Sequence, residues 1–157
     1  MKISLPDTIS HHTWLLLLVA VLLTAPLLSG CSGTSAHNAA YPMAAMADMP
    51  ELVQHSPDHV SDAYRFAVAN PDALKNVPCY CGCAPSGHTS NYSCYVKEAK
   101  PSGEVVFDLH AVACTICLDI TQDVMKMTAD GKSPPDIRQA IDQTYSRFGP
   151  SNMPAAE

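Results

Sequence analysis

The sequence predicts a mainly α fold: a small three-helix domain with a cysteine-rich loop and a short β-hairpin. Apolar residues recur with helical spacing in three segments, and proline or glycine residues mark the ends of those segments. Four of the seven cysteines fall in the stretch between the first two helices. A length of 157 residues, with 47% apolar and 15% charged, favours one folded core over two.

The first 30 residues are predicted to be a signal peptide. Residues 14–28 are mostly apolar, but this run is shorter than the roughly 20 residues that a membrane-spanning helix needs. The next residues, Leu28-Ser29-Gly30-Cys31, resemble the bacterial lipobox. That resemblance implies that Cys31 becomes the lipidated first residue, carrying palmitate-type chains. We therefore expect an extracytoplasmic protein that is anchored to the bacterial membrane through Cys31.

Residues 31–55 are predicted to form a flexible tether, because they are rich in Ala, Ser, Asn and Pro without a sustained period. The tether contains Met43, Met46 and Met49, whose thioethers are soft ligands of the kind that suits Cu(I). The alternative is an ordinary linker or a single helical turn.

The folded domain is predicted over residues 56–148, followed by a tail at 149–157. The first helix begins at Ser56-Pro57, and Asn70-Pro71 ends it. Short extended pieces at residues 95–96 and 105–107 flank the turn sequence KPSGE, as in a hairpin. The second helix is predicted between a cap at Asp108 and a stop at Gly131, and the third from Ser133 to Phe148.

Cysteines and histidines supply the concentrated chemistry of the chain. Cys79, Cys81 and Cys83 occupy alternate positions, which places three thiols on one side of an extended segment. On one continuous second helix, His110, Cys114 and Cys117 would share a sector of about 60°. Crowded thiolates that bridge between ions suit Cu(I) better than a four-ligand zinc site.

The segment Pro78-Cys79-Tyr80-Cys81-Gly82-Cys83 resembles the PCYCGC-motif proteins, a family of small exported bacterial lipoproteins. The likeness extends through Gly87-His88, Cys94-Tyr95-Val96, Cys114 and Cys117-Leu118-Asp119-Ile120. It implies a metal role, without an established activity, and it brings His88 into the ligand set. The predicted metal ligands are Cys79, Cys81, Cys83, His88, Cys94, His110, Cys114 and Cys117.

Three alternatives stay open at this point. Six cysteines in a small exported domain are also typical of a disulfide-stapled interaction module without metal. A structural zinc site is the second choice of metal. Thiol–disulfide exchange at Cys114-Thr115-Ile116-Cys117 is disfavoured, because the predicted helix places Cys114 about a turn inside it.

The predicted function is therefore a membrane-anchored protein that holds Cu(I) for storage, protection or transfer to an exported copper-requiring protein. It is not predicted to be an enzyme in the usual sense. A net charge of −6 with scattered Lys and Arg residues argues against nucleic acid as a partner.

Overall fold

The structure is a computed structural model of the chain and describes residues 41–154. Within that range the chain is mainly helical with one antiparallel hairpin, so the predicted fold class is confirmed. The helices are α1 (Glu51–Gln54), α2 (Asp58–Ala69), α3 (Pro71–Lys75), α4 (Thr115–Ala129) and α5 (Pro134–Tyr145). The strands are β1 (Val96–Ala99) and β2 (Val105–Phe107).

The three longer helices, α2, α4 and α5, form the core, with α4 packed against both of the others. Helix α2 buries Tyr64 and Phe66, helix α4 buries Ile120, and helix α5 buries Ile141. The hydroxyl of Ser133, the predicted start of the third helix, caps α5 by accepting a hydrogen bond from the backbone amide of Asp136. Helix α4 is therefore packed between α2 and α5, and this packing fixes the position of its first turn, where Cys117 lies.

The hairpin brings two parts of the cysteine-rich region together. Strands β1 and β2 pair antiparallel, with Val96 opposite Phe107 and Ala99 opposite Val105. Just beyond the paired ends, the Asp108 amide donates to the carbonyl of Tyr95 at 2.9 Å. Residues that follow β2 are thereby placed beside residues that precede β1.

The second long helix is shorter than predicted. A 3-10 turn at His110–Ala113 comes first, Cys114 is extended, and α4 begins only at Thr115. The cause lies at Asp108, whose side chain accepts the His110 amide and whose carbonyl accepts the Tyr64 hydroxyl at 2.9 Å. These bonds favour a tight turn over the helix that the apolar period alone predicts.

Two apolar residues of the predicted helix faces are exposed. Leu109 is 45% exposed because it precedes the 3-10 turn and lies outside α4. Phe148 is 50% exposed because α5 ends at Tyr145, and its ring instead lies 4.9 Å from the guanidinium of Arg147. The helical spacing of apolar residues predicts that both side chains are buried in the core, and neither is.

The part of the predicted tether that the structure describes is packed rather than free. Tyr41 contacts Phe66 edge-to-face, and Arg65 Nε donates to the Ala44 carbonyl at 2.8 Å. Met49 is buried in the core and Met43 packs against it, so these two thioethers fill apolar space. This differs from the prediction of a flexible tether with soft ligands. Cys31, the predicted signal peptide and the start of the predicted tether lie outside the described residues.

The predicted tail also makes specific contacts. Residues 149–154, which we call the C-terminal strap, run back over the cysteine-rich loop. Gly149 passes so close to Tyr80 that an added Cβ would meet the Tyr80 carbonyl oxygen at 2.8 Å. Arg138 holds the far end through a 2.6 Å hydrogen bond to the Pro154 carbonyl. Among residues 41–154, no helix has the length and apolar character that crossing a membrane requires.

Candidate metal centre

Four thiol sulfurs from three parts of the chain converge beneath the strap. The Cys117 sulfur lies 3.3 Å from that of Cys79, 3.4 Å from that of Cys94 and 3.6 Å from that of Cys81. Cys79 and Cys81 are themselves 3.3 Å apart, and Cys83 lies 4.0 Å from Cys94. Cys117 is therefore the centre of the arrangement.

The C-x-C-x-C loop delivers its thiols as the alternation predicts. Gly82 has φ 80°, a left-handed conformation that lets the chain curl between Cys81 and Cys83. Cys79 and Cys83 are buried, and Cys81 is half-buried at the edge. The loop thus presents two interior sulfurs and one nearer to solvent.

The other thiols lie at the beginning of α4. Cys114 is the N-cap residue, and Cys117 occupies the first turn with no exposed surface. The free amides at a helix N-terminus carry positive partial charge, which stabilises nearby thiolates. This placement differs from the prediction of Cys114 inside a helix, because it puts both thiols at the beginning of α4.

A buried polar network fixes the first turn of α4. The carbonyl of Cys117 accepts hydrogen bonds from the Tyr95 hydroxyl at 2.9 Å and from the side-chain amide of Asn91 at 3.3 Å. Thr121 joins the network by donating to the Asn91 side-chain oxygen at 2.7 Å. Because these groups are buried and partnered, they hold the Cys117 side chain in one position.

One carboxylate connects the two histidines of the site. Oδ1 of Asp108 accepts the His110 amide at 2.8 Å, and Oδ2 lies 3.3 Å from Nε2 of His88. The two imidazole rings meet edge-to-face with centroids 4.9 Å apart. Nε2 of His110 also lies 3.5 Å from the Cys81 sulfur, so this histidine faces the thiols.

The cysteine and histidine side chains form four overlapping sets, each of which could hold a metal ion. Within each set, the ligand atoms lie within 4.8 Å of one another. The sulfur group contains Cys79, Cys94 and Cys117, and the histidine group contains Cys83, His88 and His110. The other two sets are Cys79, Cys81 and Cys83, and Cys81, His110, Cys114 and Cys117. Each of the eight residues predicted as ligands occurs in at least one set.

Among the close-packed thiols, ionisation is favoured at Cys79. Hydrogen bonds from Cys117 and Cys94 lower the pKa of Cys79 to about 2. The hydrogen bonds that Cys117 makes to Cys79 and Cys94 raise the pKa of Cys117, and burial raises the pKa of Cys81. Further ionisation would gather negative charges in a buried space, which a bound cation would relieve.

The C-terminal strap covers the loop through Asn152. Its side-chain oxygen accepts a hydrogen bond from the backbone amide of Cys79 at 2.7 Å, and its backbone amide donates to the Cys79 carbonyl at 3.2 Å. Its side-chain nitrogen donates to the His88 carbonyl at 3.1 Å and points at the Cys83 sulfur from 3.9 Å. Asn152 therefore links the two sides of the ligand loop.

Five residues that shape the site do not belong to the predicted ligand set. They position the predicted ligands by hydrogen bonds, either to the ligands' backbone or to one another, and they are Asn91, Tyr95, Asp108, Thr121 and Asn152. Asp108, two residues before His110, is the one with a local sequence signal, since short polar side chains often bond the amide two residues on. Asn152 has no such signal, because its partners are far away in the chain.

Within residues 41–154 all six cysteines are free thiols. The shortest hydrogen-bonded sulfur–sulfur distances are 3.3 Å, well beyond the roughly 2.05 Å of a disulfide bond. The loop cysteines nevertheless lie beside the helix cysteine Cys117, which is the pairing that the disulfide-stapled alternative requires.

The comparisons with known proteins identify one family. A family described as "Protein of unknown function with PCYCGC motif" matches residues 19–154. No curated protein and no solved structure matches the chain.

Proposed function

The chain belongs to the PCYCGC-motif family, and we propose that it binds Cu(I) through its thiolate cluster. The observation that carries the proposal is the position of Cys117, whose sulfur lies 3.3 Å from Cys79 and 3.4 Å from Cys94. Three buried sulfurs at such distances form a soft ligand set, and soft thiolates select Cu(I) over harder ions. Structural zinc sites normally close with four ligands, and the interior set of Cys79, Cys94 and Cys117 has only three, which favours copper at that set. The edge set of Cys81, His110, Cys114 and Cys117 has four ligands, so zinc is the second choice of metal there.

The half-exposed side of the cluster suits storage combined with transfer. Cys81, His110 and Cys114 are only partly buried, whereas the sulfur group beneath them is fully enclosed. An ion held at the interior can move stepwise to thiols nearer the surface, because Cys117 belongs to both the interior set and the edge set. The proposed recipient is an exported protein that requires copper.

The proposed location is the outer face of a bacterial membrane, through lipid on Cys31. Two acyl chains give stable attachment where one chain gives only marginal binding. Wild-type protein should sediment with membranes, and a processed Cys31→Ala protein should not. Membrane attachment of that processed variant would remove the lipid anchor from the proposal and leave the metal site untouched.

A second candidate function, thiol–disulfide exchange, is favoured by one observation. Cys114 caps α4 and is half-exposed, with the buried Cys117 three residues on, which is the arrangement of a C-x-x-C pair at a helix N-terminus. Turnover of a dithiol–disulfide substrate that Cys114→Ser abolishes would support this function. Retention of full turnover in that variant would exclude the pair as its origin.

Stability measurements separate the metal cage from the disulfide staple. Because ligands are organised on binding, part of the metal-binding free energy is folding free energy. A Cu(I)-selective chelator should therefore lower the melting temperature of the loaded protein, and added Cu(I) should restore it. Disulfides predict the opposite pattern, in which chelator has no effect and reductant alone destabilises by about 2–5 kcal/mol per bridge.

A further inference from the structure

The histidine group, Cys83, His88 and His110, differs in chemistry from the sulfur group beside it. It offers two imidazole nitrogens and one sulfur, whereas Cys79, Cys94 and Cys117 offer sulfur alone. Mixed nitrogen and sulfur ligands suit borderline ions such as Zn²⁺, while all-sulfur sets suit Cu(I). The cluster therefore presents two kinds of metal position side by side.

The orientation of His88 supports a separate position. Its Nε2 faces the Asp108 carboxylate at 3.3 Å, and because a carboxylate is an acceptor, this contact favours the tautomer with the ring proton on Nε2 and the lone pair on Nδ1. The His88 side chain is only 7% exposed, and Nδ1 is buried without a hydrogen-bond partner among the described residues. A buried acceptor without a partner is unfavourable unless something binds it.

The same carboxylate completes the arrangement of a metal-binding histidine. Metal-ligating histidines usually donate their other ring nitrogen to a carboxylate or carbonyl, which orients the ring and raises its basicity. Asp108 does this for His88, and its second oxygen holds the His110 backbone at 2.8 Å. One acidic side chain thus orients the His88 ring and holds the backbone of His110, and both histidines belong to one ligand set with Cys83.

We propose that Cys83, His88 and His110 form a second metal position that takes one Zn²⁺ ion while the sulfur group holds Cu(I). The three residues each offer one ligand atom, a ring nitrogen or the sulfur, within 4.8 Å of the others, a spacing that can close around an ion with bonds of about 2.0–2.3 Å. Zinc sites with only three protein ligands, as in catalytic centres, keep the fourth position for water or another donor. This proposal rests on the proposed Cu(I) function for the neighbouring position.

The test uses the full chain in detergent, carrying Cys31→Ser so that only the six domain thiols react. The protein is first loaded with Cu(I) and then titrated with Co²⁺, whose visible spectrum reports tetrahedral geometry and sulfur ligation in place of Zn²⁺. We expect one Co²⁺ per chain, displaced by Zn²⁺. His88→Ala should abolish the spectrum with the Cu(I) content unchanged, and the exposed His59→Ala should behave as wild type.

A second variant keeps the test decisive if His88→Ala unfolds. Asp108→Asn leaves His88 in place and should weaken Co²⁺ binding by about tenfold or more, with the sulfur-ligated spectrum retained at saturation. No Co²⁺ binding to the Cu(I)-loaded protein, or binding that neither variant changes, would overturn the second position and leave Cu(I) binding intact. If no Cu(I) loads, the proposed function fails, and a His88-dependent Co²⁺ spectrum in the metal-free protein still decides for or against this position.

Discussion

The sulfur of Cys117 lies 3.3 Å from that of Cys79, although the two residues are 38 positions apart in the chain. One thiol comes from the first turn of α4 and the other from the C-x-C-x-C loop. Their contact requires the hairpin, the buried network at Asn91 and the C-terminal strap to be in place together. The candidate metal centre therefore depends on several parts of the domain at once.

Because Cys117 is the centre of the cluster, its replacement should have the largest effect among the cysteines. We expect Cys117→Ser to weaken Cu(I) binding by at least about tenfold, or about 1.4 kcal/mol. Cys114→Ser is the matched control on the same helix turn, and should cost much less because Cys114 lies at the half-exposed edge. Competition with a Cu(I) chelator measures both. Equal losses in the two variants would contradict a central role for Cys117.

The affinity for Cu(I) should rise with pH. The pKa of Cys117 is raised by its hydrogen bonds to Cys79 and Cys94. The pKa of Cys94 is also raised: although Cys117 hydrogen-bonds to it, its contact with Cys79 and its burial favour the protonated form. Both thiols are thus protonated at neutral pH and must lose their protons to bind metal. Cys79, with a pKa of about 2, is already ionised and adds no pH dependence in this range.

Displacing two protons per ion should raise the affinity by about a hundredfold per pH unit near neutrality. The measurements are chelator competition at several pH values and proton release into weakly buffered solution. A chelator whose own protonation is known serves as the control. Binding that is independent of pH and releases no protons would contradict ligation by these thiols.

The sequence predicts the parts of this structure that depend on local patterns. The spacing of apolar residues predicts the main helices, and Ser133 marks the start of the last one. The C-x-C-x-C spacing predicts that the three thiols lie on one side of the loop. The start of α4 is not predictable in this way, because Tyr64 and Tyr95 bind the backbone of Asp108 from distant positions. The packing of Met49 and the contacts of Asn152 are likewise tertiary, and nothing in their own segments indicates them.

Asn152 provides a test of the strap. Asn152→Ala removes the side-chain oxygen that accepts the backbone amide of Cys79 at 2.7 Å. The free energy of unfolding should therefore fall by about 1–3 kcal/mol. Asn152→Asp is the matched control, because a carboxylate still accepts that amide while losing the donor to the His88 carbonyl. Chemical denaturation of wild type and both variants gives the differences in the free energy of unfolding. If Asn152→Ala is as stable as wild type, the strap does not hold the loop in solution.

Metal content and free thiols, measured on the same sample, test the central claim most directly. The sample is the full chain with Cys31→Ser, loaded with Cu(I) anaerobically and passed through a desalting column. We predict bound copper together with six thiols that react only after the metal is removed or the chain is unfolded. Copper-free protein in which reductant is needed before any of the six thiols reacts would contradict the account and establish the disulfide-stapled module.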